Sequence, residues 1–191
     1  MLRSSRMILK EAGSHAFPLL VSRMGFEKVD ETATDSAEGG RSTATWKVDD
    51  NLRIIFTKDG LSDCEYVQIF GDEPESVGDT AEAISEIGTY GYDELLQAYR
   101  SADRIEEKSL HLIRVGVGAP PTADEEFCDC IIEALTSHQP KMREAGLWAA
   151  SFYAMRRFFP FVQDIALTEI DEEIKETAEL VAATYRQRGL E

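Results

Sequence analysis

One pattern constrains this chain more than any other, because it recurs four times between Val77 and Arg188. An aliphatic residue is followed four positions later by a small one, then by apolar residues seven and eight (or ten) positions on. Val77-Gly-Asp-Thr-Ala81-Glu-Ala-Ile84-Ser-Glu-Ile87-Gly88 fits, as does Ile105-Glu-Glu-Lys-Ser109-Leu-His-Leu112-Ile113-Arg-Val-Gly116. Met142 to Tyr153 and Ile174 to Tyr185 are the third and fourth copies, and they align at a shift of 32 residues: Ala134-Leu135-Thr136 returns as Ala166-Leu167-Thr168, Glu144 as Glu176, Ala150 as Ala182 and Tyr153 as Tyr185. The spacing puts the apolar residues on one helical stripe. A period of this length predicts stacked helical pairs.

The segments between the copies supply the punctuation. Helices are expected over 75–87, 92–101, 104–115, 125–138, 141–157, 160–168 and 171–188. Gly88 and Gly116-Val-Gly118 read as stops, Pro140 as a helix start, Thr122 or Asp124 as one cap and Asp171 as another. Arg186, Arg188 and Gly189 suit the negative end of the last helix.

Residues 1–72 follow a different period. Stretches 4–12 and 15–24 read as helical, with Leu19, Leu20 and Met24 on the packed side, Pro18 in a first turn and Gly25 as the stop. Phe26–Asp30 is a weak strand signal and Thr34–Arg41 has loop composition. Ser42–Val48, Leu52–Thr57 and Asp63–Phe70 alternate or are β-branched and aromatic, with turn residues at Asp49-Asp50-Asn51 and Lys58-Asp59-Gly60. So small a meander needs an apolar cover. The fold expected is α+β, in which a 1–72 cap of N-terminal helix and antiparallel sheet is joined, at Gly71–Pro74, to a helical array over 73–191.

The repeat resembles the HEAT-like repeat in its short variety, known from phycobilisome lyases. Val77–Gly88 and Ile105–Gly116 match best, and the motif covers residues 75–188. It departs where Ser109 and Gly146 stand for the usual alanine, and where only Arg143, with Lys175 a near match, is basic after the aliphatic residue. The first copy has no clear first helix, since Tyr66–Phe70 reads as a strand. The resemblance implies an α-solenoid of about three helix pairs whose second helices line a concave surface. It implies no chemistry by itself. Most such arrays bind proteins; some bind nucleic acid, and a few relatives process it or attach chromophores.

Counted from each aliphatic residue, offsets two, six and nine then face the concave side. Offset two holds Asp79, Glu107, Glu144 and Glu176, acidic in every copy. Offset six holds Ala83, His111, Trp148 and Leu180; offset nine holds Glu86, Arg114, Ser151 and Ala183. The binding candidates are therefore Asp79, Glu107, His111, Arg114, Glu144, Trp148 and Glu176. Two readings of them stand open: a protein-binding groove with steering charge and an aromatic anchor, or a solvated helix face with a packed tryptophan.

Charge narrows the partner. The net charge is −16; residues 1–60 are balanced at nine basic and nine acidic, while 61–191 hold 11 basic and 27 acidic. Such a surface repels phosphate backbones, so a basic protein is expected and nucleic acid is not. No apolar run approaches the roughly 18–20 residues of a membrane span, and the N-terminus lacks the apolar stretch of a signal peptide. Cys64, Cys128 and Cys130 read as core thiols of a cytoplasmic protein.

No catalytic set is legible. His15, His111 and His138 fit no metal spacing, Gly116-Val-Gly118 lacks a phosphate-loop context, and the acidic pairs sit at helix starts, where they favour the dipole. Arg156-Arg157 with Phe158-Phe159-Pro160-Phe161 reads as a wedge between repeats. No metal or cofactor is expected. The function expected is a non-catalytic protein-binding module, immunity- or antitoxin-like, masking a basic partner. The alternative is a pigment- or protein-modifying factor like the phycobilisome-lyase proteins, with His111, Arg114 and Trp148 around one pocket.

Overall fold

A computed structural model describes residues 1–33 and 40–191. The chain divides into two compact units, Met1–Gly91 and Tyr92–Glu191. The division lies later than the expected joint at 72/73, and the helix over 74–85 goes with the sheet.

The first unit is an antiparallel sheet of six strands with two helices. Strands β1 (Leu2–Arg3) and β2 (Met7–Ile8) both pair with β6 (Cys64–Gly71). The order then runs through β5 (Leu52–Asp59) and β4 (Arg41–Lys47) to β3 (Glu27–Ala33) at the edge. The helix expected over 4–12 is thus corrected: Met7–Ile8 form strand β2, and helix begins only at Glu11. Met7 and Ile8 sit opposite Val67 and Tyr66, and Ser4 exchanges backbone and hydroxyl hydrogen bonds with Ile69. That pairing reaches across the whole unit, so no local period announces it. Most of the expected 34–41 loop lies outside the described residues.

Helix α1 (Glu11–Arg23) buries Gly13, Phe17 and Val21, one stripe at a spacing of four. Leu19, expected on the packed side, is 73% exposed. Pro18 stands inside this helix and not in its first turn. The loss of one ladder bond is tolerated because Phe17 on one side of it is fixed between Trp46 at 5.2 Å and Phe56 at 5.3 Å. Gly25, at φ 70°, ends the helix as expected. Helix α2 (Pro74–Ser85) packs on β6 and β1. Leu52, Ile54, Val67 and Ile69 from the strands, Phe17 and Val21 from α1, and Val77 and Ile84 from α2 make one core. Tyr66, on β6, is buried with Arg6 and Arg41 over its ring.

The second unit is three helix pairs: α3 (Tyr92–Ser101) with α4 (Ile105–Gly118), α5 (Glu125–Leu135) with α6 (Pro140–Phe152), and α7 (Phe159–Thr168) with α8 (Glu172–Gln187). The second helices also pack in series, α6 against both α4 and α8. The repeat explains why. Ser109, Leu112 and Ile113 of α4, Gly146, Ala149 and Ala150 of α6, and Ala178, Val181 and Ala182 of α8 occupy the same offsets and are all buried.

Helix α4 ends at Gly118, within the expected Gly116–Gly118 stop, and Gly116 itself lies inside its last turn. A Cβ there would lie 2.5 Å from Ala149 Cα and 2.6 Å from its carbonyl oxygen. The glycine is a packing device that lets α4 and α6 touch backbone to backbone. On the other side of α6, Tyr185 holds the matching offset in α8 and donates its hydroxyl to the Ala150 carbonyl at 2.7 Å.

Asp124 and Asp171 cap α5 and α8, accepting from Phe127 N and from Glu173 and Ile174 N. Helix α6 stops at Phe152, short of the expected Arg157. Tyr153 turns out instead to donate to the Thr122 carbonyl and accept from Asp124 N. A 3-10 turn over Arg156–Phe158 follows, burying Phe158 completely.

Candidate functional site

The offset-two carboxylates are distributed over both units. Asp79 is exposed on α2, in the first unit, along a stripe with Glu75, Glu82 and Glu86. No basic residue occurs between Lys58 and Arg100, so this stripe has no cationic neighbour in sequence. Glu107, Glu144 and Glu176 belong to the second unit and stand at one offset on α4, α6 and α8, the helices that pack in series. Burial of offsets four, seven and eight on each helix turns offset two outward. The Glu107 side chain is 57% exposed, with His111 Nε2 3.7 Å from it. Glu144 accepts from Lys141 Nζ at 3.0 Å. The Lys141–Glu144 pair is a single-turn pair at the surface, worth a few tenths of a kcal/mol, so the carboxylates keep most of their field.

His111 and Trp148 share an offset on the adjacent helices α4 and α6, and both are half-buried, as is Arg114 one turn from His111. Trp148 is therefore neither fully in the core nor free on the surface. His111, Arg114 and Trp148 line neither the hollow between α5, α6 and α7, nor that at the end of β5 and β6, nor that between α3, α4 and α5.

A hollow of about 370 Å³ opens where α5, α6 and α7 meet, with His138 and Phe161 on its wall. Its chemistry is closed on itself. Arg143 Nε donates to Glu169 Oε2 at 2.6 Å, and its Nη1 donates to the Ser137 carbonyl at 3.0 Å. Glu169 also accepts from the N–H groups of Ile170 and Asp171. The Arg143 hydrogen bond, aided by those backbone donors, holds the Glu169 carboxyl below its ordinary range against the opposing effect of burial. The pair clasps the second helix pair to the third. Its signal in the sequence was Arg143, the one arginine after an aliphatic repeat residue.

A second hollow, about 330 Å³, lies at the end of β5 and β6. Buried Asp59 accepts from Leu61 N at 3.1 Å, and Ser62 Oγ lies 3.0 Å from Cys64 Sγ. Cys64, expected in the core, is half-buried at this rim, while Cys128 and Cys130 are buried. Burial pushes both of those thiols up, away from the reactive thiolate.

The Arg-Phe cluster is structural. Arg157 pairs with Glu125 at 2.8 Å, Arg156 bonds the Glu191 carbonyl, and Phe159 stacks on Tyr185 under Arg186. Among the described residues, no three His, Cys, Asp or Glu side chains gather where a metal ion would sit, and no helix is long and apolar enough to cross a membrane.

No family model, curated protein or solved structure matches this chain.

Proposed function

We propose that this chain is a non-catalytic, cytoplasmic, HEAT-like protein-binding module that masks a basic protein partner, in the manner of an immunity or antitoxin-like protein. The observation that carries the reading is the recurrence of Glu107, Glu144 and Glu176 at one outward offset on three helices packed in series. A solvated surface needs charge but not the same charge at the same place. A repeated carboxylate builds an extended field of one sign, which steers a cationic partner and opposes phosphate backbones. Half-buried Trp148, one turn beyond Glu144, supplies an aromatic surface beside that field. Serial packing of α4, α6 and α8 supports the HEAT-like assignment, and the buried thiols suit a reducing compartment.

The pigment- or protein-modifying alternative draws on His111 and Trp148 sharing an offset, with Arg114 one turn away. It requires those three around one ligand-sized hollow. Bilin titration of the full chain, followed by absorbance, is expected to show no saturable shift; a shift abolished by His111→Ala would favour the alternative.

Affinity capture from a bacterial lysate tests the main reading. A basic protein retained at low ionic strength and released at high salt is the expected result. Capture of only neutral or acidic proteins, insensitive to salt, would contradict it.

A further inference from the structure

Tyr99, on the last turn of α3, is 2% exposed. Its hydroxyl is a buried polar atom without a hydrogen-bond partner, the single such side-chain atom among the described residues. A buried phenol ordinarily finds a partner, so this one marks a place where a group from outside is wanted. It lies on the wall of a hollow of about 290 Å³ formed by α3, α4 and α5. Burial first, then the nearby Glu133 and Cys130 on the same wall, keeps the phenol protonated and its oxygen neutral.

The charges around the hollow decide what it takes. Arg100 is closed on Glu126 at 3.0 Å. The Lys108 ammonium is 4.9 Å from the centre of the Tyr99 ring, over its face. What is left on the wall of the hollow is Asp129 and Glu133, exposed carboxylates one turn apart on α5, of which Glu133 is near the phenol. The balance is anionic, so a phosphate or carboxylate ligand is opposed. The volume falls at the lower edge of small-molecule sites, which run from roughly 300 to 1,000 Å³. It suits one long side chain and not a cofactor.

We propose that this hollow is the seat for a single arginine side chain of the basic protein partner. A guanidinium presents five N–H donors in a planar fork and no acceptor. One N–H gives the Tyr99 oxygen the donor it lacks, and the others reach Asp129 and Glu133. The inference rests on the reading of the partner as a basic protein, and adds to the repeated carboxylates a point of side-chain selection.

The test uses the full chain and N-acetyl-argininamide as probe, followed by NMR of the α3 and α5 amides, with the neutral citrulline analogue as control. Saturable shifts centred on Tyr99, Cys130 and Glu133 are expected for the arginine probe and not for the citrulline one. Tyr99→Phe is expected to weaken binding about fivefold, the factor for a lost hydrogen bond of ordinary strength, with no loss of thermal stability. Glu133→Gln is expected to weaken it too, and checks the site by a surface change that does not touch the core. Absence of binding to the wild type, equal binding of the citrulline probe, undiminished binding by both variants, or a fall in stability of Tyr99→Phe would each overturn the proposal. Partner capture separates the two readings. If a salt-sensitive basic partner is retained but the arginine probe does not bind, the seat is wrong and the masking function stands. If the probe binds but no basic partner is retained, the function is wrong and the seat stands.

Discussion

The two units carry equal charge and place it differently. Residues 1–91 hold nine basic and 17 acidic residues, and residues 92–191 hold 11 and 19, so each is at −8. In the first unit the excess lies entirely after residue 60, in β6, α2 and their flanks, where acidic side chains have no basic ones among them. In the second, cations are interleaved, and many are spent on clasps such as Arg143–Glu169 and Arg157–Glu125. The acidic residues left without such work include those that repeat, Glu107 and Glu176. The packing differs in the same way. The sheet unit closes through contacts between distant segments, β1 and β2 against β6. The helical unit closes through successive neighbours. Both rely on glycine where backbones meet: Gly13 of α1 has no room for a Cβ against the Gly88 carbonyl, and Gly116 has none against Ala149. A difference in construction, more than in composition, separates a unit that is one core from a unit that is a series.

The sharpest break in that comparison is Phe17→Ala. Phe17 is 1% exposed and central to the sheet unit's aromatic cluster. A loss of about 4 kcal/mol is expected, read by hydrogen exchange as lost protection in residues 1–33 and 40–91, with the helical unit's amides retained. Equal loss in both units would mean that they unfold as one.

Glu169→Ala is the counterpart in the helical unit. It leaves Arg143, only 18% exposed, without its carboxylate, at an expected cost of about 3 kcal/mol. The sign with pH follows from the lowered Glu169 carboxyl. Its contribution is present above the ordinary carboxylate pKa and is lost as pH falls through the lowered one. Wild-type stability should therefore drop over that acid range, and the Glu169→Ala profile should be flatter there; parallel profiles would remove the clasp from the account.

Gly116→Ala comes next. Overpacking against Ala149 is expected to cost about 3 kcal/mol, of which the better helix propensity of alanine returns about 1. The measured fall in stability should be near 2 kcal/mol, with exchange rising in α4 and α6. A stabilised variant would show that the helices are free to separate.

The same contrast explains what could be read before the structure. Ile174, Ala178, Val181 and Tyr185 repeat Met142, Gly146, Ala149 and Tyr153, and local spacing was enough to place those helices. Gly116-Val-Gly118 reads as a stop because glycine ends helices, and α4 does end at Gly118; that Gly116 is also needed for close packing shows only in the nearness of Ala149. Met7 and Ile8 looked helical because their partner strand lies some sixty residues away. Of the candidate site, the outward offset of Glu107, Glu144 and Glu176 was legible, since it follows from burial of the positions around it. Assignment of Asp79 to the first unit was not, because α2 carries the repeat's spacing while packing on β6. Tyr99 was invisible as well: an unpartnered hydroxyl is a property of neighbours, and a tyrosine at a core position gives no hint of it.

Charge reversal of the repeated carboxylates tests the central claim most directly. Glu107→Lys, Glu144→Lys and Glu176→Lys, combined in the full chain, change surface positions and leave the buried offsets intact. The combined variant is expected to keep its helical content and stability within about 1 kcal/mol, and to lose low-salt retention of the basic partner that the wild type captures. An unaltered variant in that capture, with the same salt dependence as the wild type, would contradict the assignment of this face to binding.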